Sequence, residues 1–159
     1  MRSVFAIVMM GLLLCSCDES RLFEEYRDFD DRLWLVSDQP KFDFLIDDTV
    51  SAYSLYCNVR NVESYPYSDF RYTYYFTDST GATTLGKKLM IQYLFDKKTG
   101  EPFGESGLGD IYEHQFVMMK DLKFKKRGMY SVRFEQFMRT DSLRGILAIG
   151  LRVERSEKD

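Results

Sequence analysis

From residue 41 onward, apolar and polar side chains alternate with a period of two, the spacing of strands that bury one face. In the segment 41–47, Phe42, Phe44 and Ile46 share one parity, against Lys41, Asp43 and Asp47. Tyr53, Leu55, Cys57 and Val59 fall together, opposite Ser54, Tyr56, Asn58 and Arg60. Phe70, Tyr72, Tyr74 and Phe76 alternate with Arg71, Thr73 and Tyr75, and Leu89, Ile91, Tyr93 and Phe95 alternate with Met90, Gln92 and Leu94. The stretch from Tyr112 to Met119 alternates less cleanly and is apolar on both faces toward its end. The last two segments are clear: Tyr130, Val132 and Phe134 against Ser131, Arg133 and Glu135, then Leu147, Ile149, Leu151 and Val153 against Ala148, Gly150, Arg152 and Glu154.

Turn residues separate these runs: Asp47-Asp48, Tyr65-Pro66, residues 78–81, Lys98-Thr99-Gly100, the glycine-rich stretch 100–109, and Arg127-Gly128. Only Asp141 to Arg144 reads as a helical turn. No segment is long enough to supply helical crossovers between parallel strands. Seven or eight half-apolar strands therefore predict an all-β fold, an antiparallel β-sandwich of jelly-roll or immunoglobulin-like type with its strand order open.

The first seventeen residues follow a different pattern. Arg2 is followed by an apolar run from Val4 to Leu14, and the small residue Ser16 stands directly before Cys17. This is the layout of a secretory signal, too short to cross a hydrocarbon core of about 30 Å as a helix. Leu14-Cys15-Ser16-Cys17 resembles a bacterial lipobox, in which the cysteine thiol is acylated and becomes the new N-terminus; Cys15 is the poorer candidate because the bulky Leu14 precedes it. The expected organisation is a lipoprotein signal peptide over 1–16, a lipid-anchored polar tether over 17–40, and a sandwich domain over 41–159. Residues 17–159, 143 in all, have the length of one domain. Cys57 is then the one cysteine left without a lipid, so the core must hold the fold without an intrachain disulfide. An aromatic content of 16%, with thirteen Phe and eleven Tyr, agrees with strands. Without Arg2 there are 21 basic side chains against 25 acidic ones. This mild acidity argues against nucleic acid as a partner and against electrostatic adhesion to anionic lipid. Membrane attachment falls to the acyl chains on Cys17, at about 0.8 kcal/mol per buried methylene.

Few residues offer chemistry. His114 is the single histidine; it has no second ligand at metal spacing and shares its parity with Tyr112, Phe116 and Met118, which predicts a packed imidazole. Cys57 lies on an apolar parity, where a thiolate is suppressed. The run from Gly100 to Asp110 lacks the Gly-Lys-Ser/Thr ending of a phosphate loop and reads as a long hairpin loop. Asp43, Asp47, Asp48 and Asp110 show no calcium-loop spacing. No serine sits in a Gly-x-Ser-x-Gly elbow. The expectation is a chain with no catalytic residues, no cofactor and no metal. The remaining surface clue is aromatic: Tyr56, Tyr65, Tyr67 and Tyr75 fall on polar parities or in turns. Of these, Tyr65, Tyr67 and Tyr75 form the candidate surface for stacking on a sugar or a partner protein.

Several strings resemble one family. They are Glu24-Glu25-Tyr26; Asn58-Val59-Arg60-Asn61 followed by Tyr65-Pro66-Tyr67-Ser68; Gly107-Leu108-Gly109-Asp110-Ile111-Tyr112; and a C-terminal block from Gly128 to Arg139, continuing through Leu143, Gly145-Ile146 and Gly150 to Glu154. Together they are similar to the gliding motility lipoprotein GldH family over essentially the whole mature chain. The resemblance implies a Bacteroidota envelope lipoprotein without enzymatic role, most naturally at the outer membrane. Its implied partners are other envelope proteins of a motility and secretion complex. It brings no catalytic residues to carry over. Structural roles are expected for the polar residues of these strings: Arg60 and Asn61 toward turn carbonyls, Arg139 and Arg152 toward Glu135 or Glu154.

Overall fold

The computed structural model describes residues 20–78, 80 and 84–156. The signal segment 1–16 and Cys17 lie outside the described residues. Eleven strands are described: β1 (Arg21–Asp28), β2 (Leu33–Leu35), β3 (Lys41–Ile46), β4 (Tyr53–Val62), β5 (Asp69–Asp78), β6 (Thr84–Tyr93), β7 (Glu105–Ser106), β8 (Ile111–Leu122), β9 (Gly128–Gln136), β10 (Ser142–Arg144) and β11 (Ile146–Arg155). Among the described residues, one 3-10 turn lies at Asp30–Arg32.

Two antiparallel sheets carry the fold, one in the order β1-β11-β4-β8-β7 and the other β3-β9-β5-β6, with a small β2-β10 ribbon beside them. The eight long strands pair as a nested set: β1 with β11, β3 with β9, β4 with β8 and β5 with β6. That nesting describes one long hairpin, with the β5–β6 turn at its tip, rolled up so that β11 also meets β4 and β9 also meets β5. Apart from the β5–β6 tip, each successive long strand crosses to the other sheet, which is the wiring of a jelly roll.

The core sits between the two inner faces. Tyr53, Leu55, Cys57 and Val59 of β4, with Ile149, Leu151 and Val153 of β11, meet Phe42, Phe44 and Ile46 of β3, Phe70, Tyr72, Tyr74 and Phe76 of β5, and Tyr130, Val132 and Phe134 of β9. All are buried, on the parities that the alternation predicts. Phe44 is a hub, with ring centroids 6.0–6.5 Å from those of Phe23, Phe76, Phe124 and Tyr130, in stacked, tilted and edge-on pairs.

Four details depart from the sequence expectation. First, the segment expected as a tether is largely built into the fold. β1 is hydrogen-bonded along β11, and Trp34 of β2 is fully buried, stacked at 4.8 Å on Phe29, with its Nε1 donating to the Asp38 carbonyl at 2.7 Å. Second, the supposed helical turn near Asp141 contains β10, whose Leu143 pairs with Trp34. Third, β8 alternates poorly because Tyr53 to Tyr56 of β4 spans Leu122 to Val117 of β8, so two extra residues bulge there and reset its parity. Fourth, β6 turns its apolar parity outward. The register sets Met90 against Tyr72 and Lys88 against Tyr74, both core-facing on β5. Leu89, Ile91 and Tyr93 are consequently 44–48% exposed.

Gly145 links β10 to β11 at φ +87, and a Cβ there would lie 3.1 Å from the Tyr65 Cα. Only glycine combines that backbone with that approach.

Candidate functional site

A groove of about 480 Å³ crosses the outer face of the five-stranded sheet, bordered by Glu24 and Tyr26 of β1, Asn58 of β4, and Glu113 and Gln115 of β8. It exists because Gly150 of β11 has no side chain. A Cβ at that position would be 2.9 Å from both the Glu25 carbonyl and the Tyr26 ring, so Tyr26 lies flat across β11 and reaches Asn58. Asn58 is 3% exposed; its Nδ2 donates to the Tyr26 hydroxyl at 2.9 Å and to Glu24 Oε1 at 3.0 Å. Glu24 Oε2 accepts from Arg21 at 2.9 Å and from Arg152 at 3.2 Å, and Arg152 also pairs with Glu154. Arg60 places its guanidinium 4.3 Å from the Tyr26 centroid and donates from Nε to Glu113 at 2.8 Å. Burial, then the neighbouring Glu24 charge, push the Tyr26 phenol up. These contacts join β1, β11, β4 and β8 through side chains. The carboxylates Glu24 and Glu113 are bound to arginines, so the arrangement braces the strands.

His114 borders the same groove and is 7% exposed. It stacks on Phe116 at 5.5 Å, and its Nε2 has no hydrogen-bond partner among the described residues. Nε2 is sealed by Gly104, where an added Cβ would come within 2.6 Å of it. Burial lowers its pKa to about 4, so the imidazole is neutral at ordinary pH. Cys57 is fully buried, and burial pushes its thiol up to about 12, the opposite of an activated nucleophile. No group of three or more His, Cys, Asp or Glu side chains that could hold a metal ion occurs among the described residues. Asp48 instead accepts from the Ser51 hydroxyl, the main cause of its lowered pKa, and from the backbone N–H groups of Val50 and Ser51. Asp43 accepts from Ser131, and Asp110 meets Arg32 at 3.5 Å. The glycine-rich stretch is a turn and short hairpin, with Gly107 N–H donating to the Ile111 carbonyl.

The three candidate tyrosines occupy different environments. Tyr65 is 6% exposed, its hydroxyl donating to the Asp69 carbonyl at 3.1 Å, and it presents no open ring face. Tyr67 is 41% exposed and packs edge-on to Tyr65 at 5.7 Å, beside a recess it shares with Arg71, Phe137 and Arg139. Tyr75 lies on the outer face of β5, six residues beyond Asp69, or about 20 Å along the strand. Its ring is flanked by Arg133 at 4.0 Å and Lys87 at 4.8 Å, and its hydroxyl donates to Glu135 at 2.6 Å. Burial removes Tyr65 from the expected stacking surface, and cations cover Tyr75. The sequence reading missed the Glu24–Tyr26–Asn58–Arg60 brace. Its signal was present in the outward parity of Asn58 and Arg60, but their partners on β1 sat in the supposed tether.

The chain is similar to several known proteins. A solved structure, the infectious bursal disease virus VP2 subviral particle, aligns with 87% of this chain and 34% of its own length, at TM-score 0.36 and 11% identity, too distant to support an inference. A gliding motility lipoprotein GldH homolog of Christiangramia forsetii is 29% identical over 164 residues, covering 98% of this chain and 96% of that protein. The gliding motility lipoprotein GldH of Flavobacterium johnsoniae is 27% identical over 158 residues, covering 95% of each. The family model described as GldH lipoprotein matches residues 21–153, from the first residue of β1 into β11. Those bounds take in the brace, both sheets and the N-terminal strands, and on them the chain belongs to the GldH lipoprotein family.

Proposed function

We propose that this protein is a lipid-anchored, non-catalytic component of a gliding motility and secretion apparatus, acting through contacts with other envelope proteins. The observation that carries the reading is the near full-length likeness to gliding motility lipoproteins. The state of the reactive side chains supports it: the single histidine and Cys57 are buried, and Glu24 and Glu113 of the groove are tied to arginines. In this reading the signal peptide is residues 1–16, acyl chains on Cys17 hold the protein at the outer membrane, and the folded domain begins almost at once after the anchor. A glycan-binding role through Tyr65, Tyr67 and Tyr75 has less support, since one of the three rings is buried and another is flanked by cations.

Replacement of the anchor tests the proposal. Cys17→Ala should abolish incorporation of a palmitate analogue and move the chain from the membrane to the soluble fraction. The domain should stay folded, while motility and secretion fall to the level of a deletion. A soluble Cys17→Ala protein with full activity would overturn the reading.

A further inference from the structure

β6 forms one edge of the four-stranded sheet. Among the described residues, no strand lies on its far side. Half of the backbone N–H and C=O groups of this ten-residue strand therefore point away from β5, a template for one more strand. Edge strands are ordinarily blunted by charge or shortness. β1, the edge of the other sheet, follows that rule, since its exposed residues are Arg21, Glu25, Arg27 and Asp28. β6 exposes Leu85, Leu89, Ile91 and Tyr93 at 44–48%, and Phe137 adds a further exposed ring at 57% beside Arg71, the register partner of Ile91.

Charge indicates what covers this edge. β6 contains Lys87 and Lys88 and no acid, and Lys97 and Lys98 follow in the next turn, where Lys97 lies 4.5 Å from the Tyr93 ring centroid. Arg71 on the adjoining strand is satisfied by Asp69 at 2.6 Å. A second copy of β6 would bring a like-charged, acid-free edge against this one, with at least four lysines on the shared ribbon. An acidic strand would neutralise them.

We infer that β6 is a docking edge for an extended segment of a partner protein, which adds antiparallel as a fifth strand. Its acidic side chains lie opposite Lys87 and Lys88, and its apolar side chains lie opposite Leu89, Ile91 and Tyr93. The inference rests on the protein-contact reading above and gives that contact a place and a chemistry. Backbone pairing supplies the strand register, the apolar stripe supplies burial, and the lysine pair selects the acidic partner.

The test uses the full lipidated chain in mild detergent and a capped synthetic peptide, Val-Thr-Val-Thr-Val-Glu-Glu-Thr-Val. In antiparallel register its acids meet the two lysines. Amide hydrogen exchange should show new protection across residues 85–93 on peptide addition. A control peptide with Lys-Lys in place of Glu-Glu should bind about tenfold more weakly or less. The Lys87→Glu/Lys88→Glu protein should invert that preference, and a wild-type-like fold of this variant is checked by unchanged exchange in β4 and β11. Three results would overturn the inference: no protection of β6, protection of the β1 or β3 edge instead, or equal binding of the two peptides. Concentration-dependent dimerisation that protects β6 without peptide would also overturn it, assigning the edge to a second copy. Failure here with an intact Cys17→Ala outcome removes the docking edge alone. A functional soluble Cys17→Ala protein, by contrast, removes the anchored-component reading.

Discussion

The buried imidazole of His114 makes a quantitative claim about acid stability. Folded, the ring is neutral, sealed by Gly104 at Nε2 and stacked on Phe116, and its pKa is lowered from 6.5 to about 4 by burial. In the unfolded chain it protonates near its ordinary value. Between those two values the unfolded state binds one more proton than the folded state, so stability falls as pH falls. The contribution is intact above about pH 6.5, is lost progressively down to about pH 4, and changes no further below that. A window of roughly 2.5 pH units at about 1.4 kcal/mol each corresponds to about 3.5 kcal/mol, of which about 3 kcal/mol is lost by pH 4. The carboxylates held low by hydrogen bonds, Asp43, Asp48 and Asp96, have folded pKa values below 3.8, so the stability they supply is lost at more acid pH than the histidine's. Urea unfolding of residues 20–156 at half-unit steps from pH 7.5 to 4, for wild type and His114→Leu, isolates the histidine. The wild-type free energy should drop by about 3 kcal/mol across the window, while the leucine variant, whatever its absolute stability, should stay nearly flat. The single histidine also gives a direct check: its ring-proton NMR shift should titrate near pH 4. Parallel pH profiles for the two proteins, or a midpoint near 6.5, would refute the reasoning.

Two further predictions test how the fold is braced. Trp34→Ala should cost about 3–5 kcal/mol in urea unfolding, because it removes a fully buried indole from between Phe29 and Phe70; a loss under 1 kcal/mol would return this segment to the status of a tether. Gly150→Ala should cost about 1–3 kcal/mol and speed amide exchange in β1, since the new methyl displaces Tyr26 from across β11; unchanged exchange at Tyr26 and Arg27 would show that the groove does not depend on the missing side chain.

The all-β class was legible in the sequence because it depends on a local pattern, period-two alternation. That alternation also named the inward residues of β3, β4, β5 and β9, where the facing sheet covers the apolar parity. It could not do so for β6. Leu89, Ile91 and Tyr93 have the apolar parity, but the register against Tyr72 and Tyr74 of β5 sends Met90 inward and leaves the other three in water. Nor could it recover β1, whose acids and widely spaced aromatics read as tether until β11 lies beside it. The brace of Glu24, Tyr26, Asn58, Arg60 and Arg152 joins residues up to 128 positions apart, and only the nested strand order brings them onto one face. By itself the sequence determined the all-β class and the inward face of most of the long strands. Tertiary structure decided which apolar face goes unburied, because burial belongs to the sheet's register and edges, which no single strand encodes.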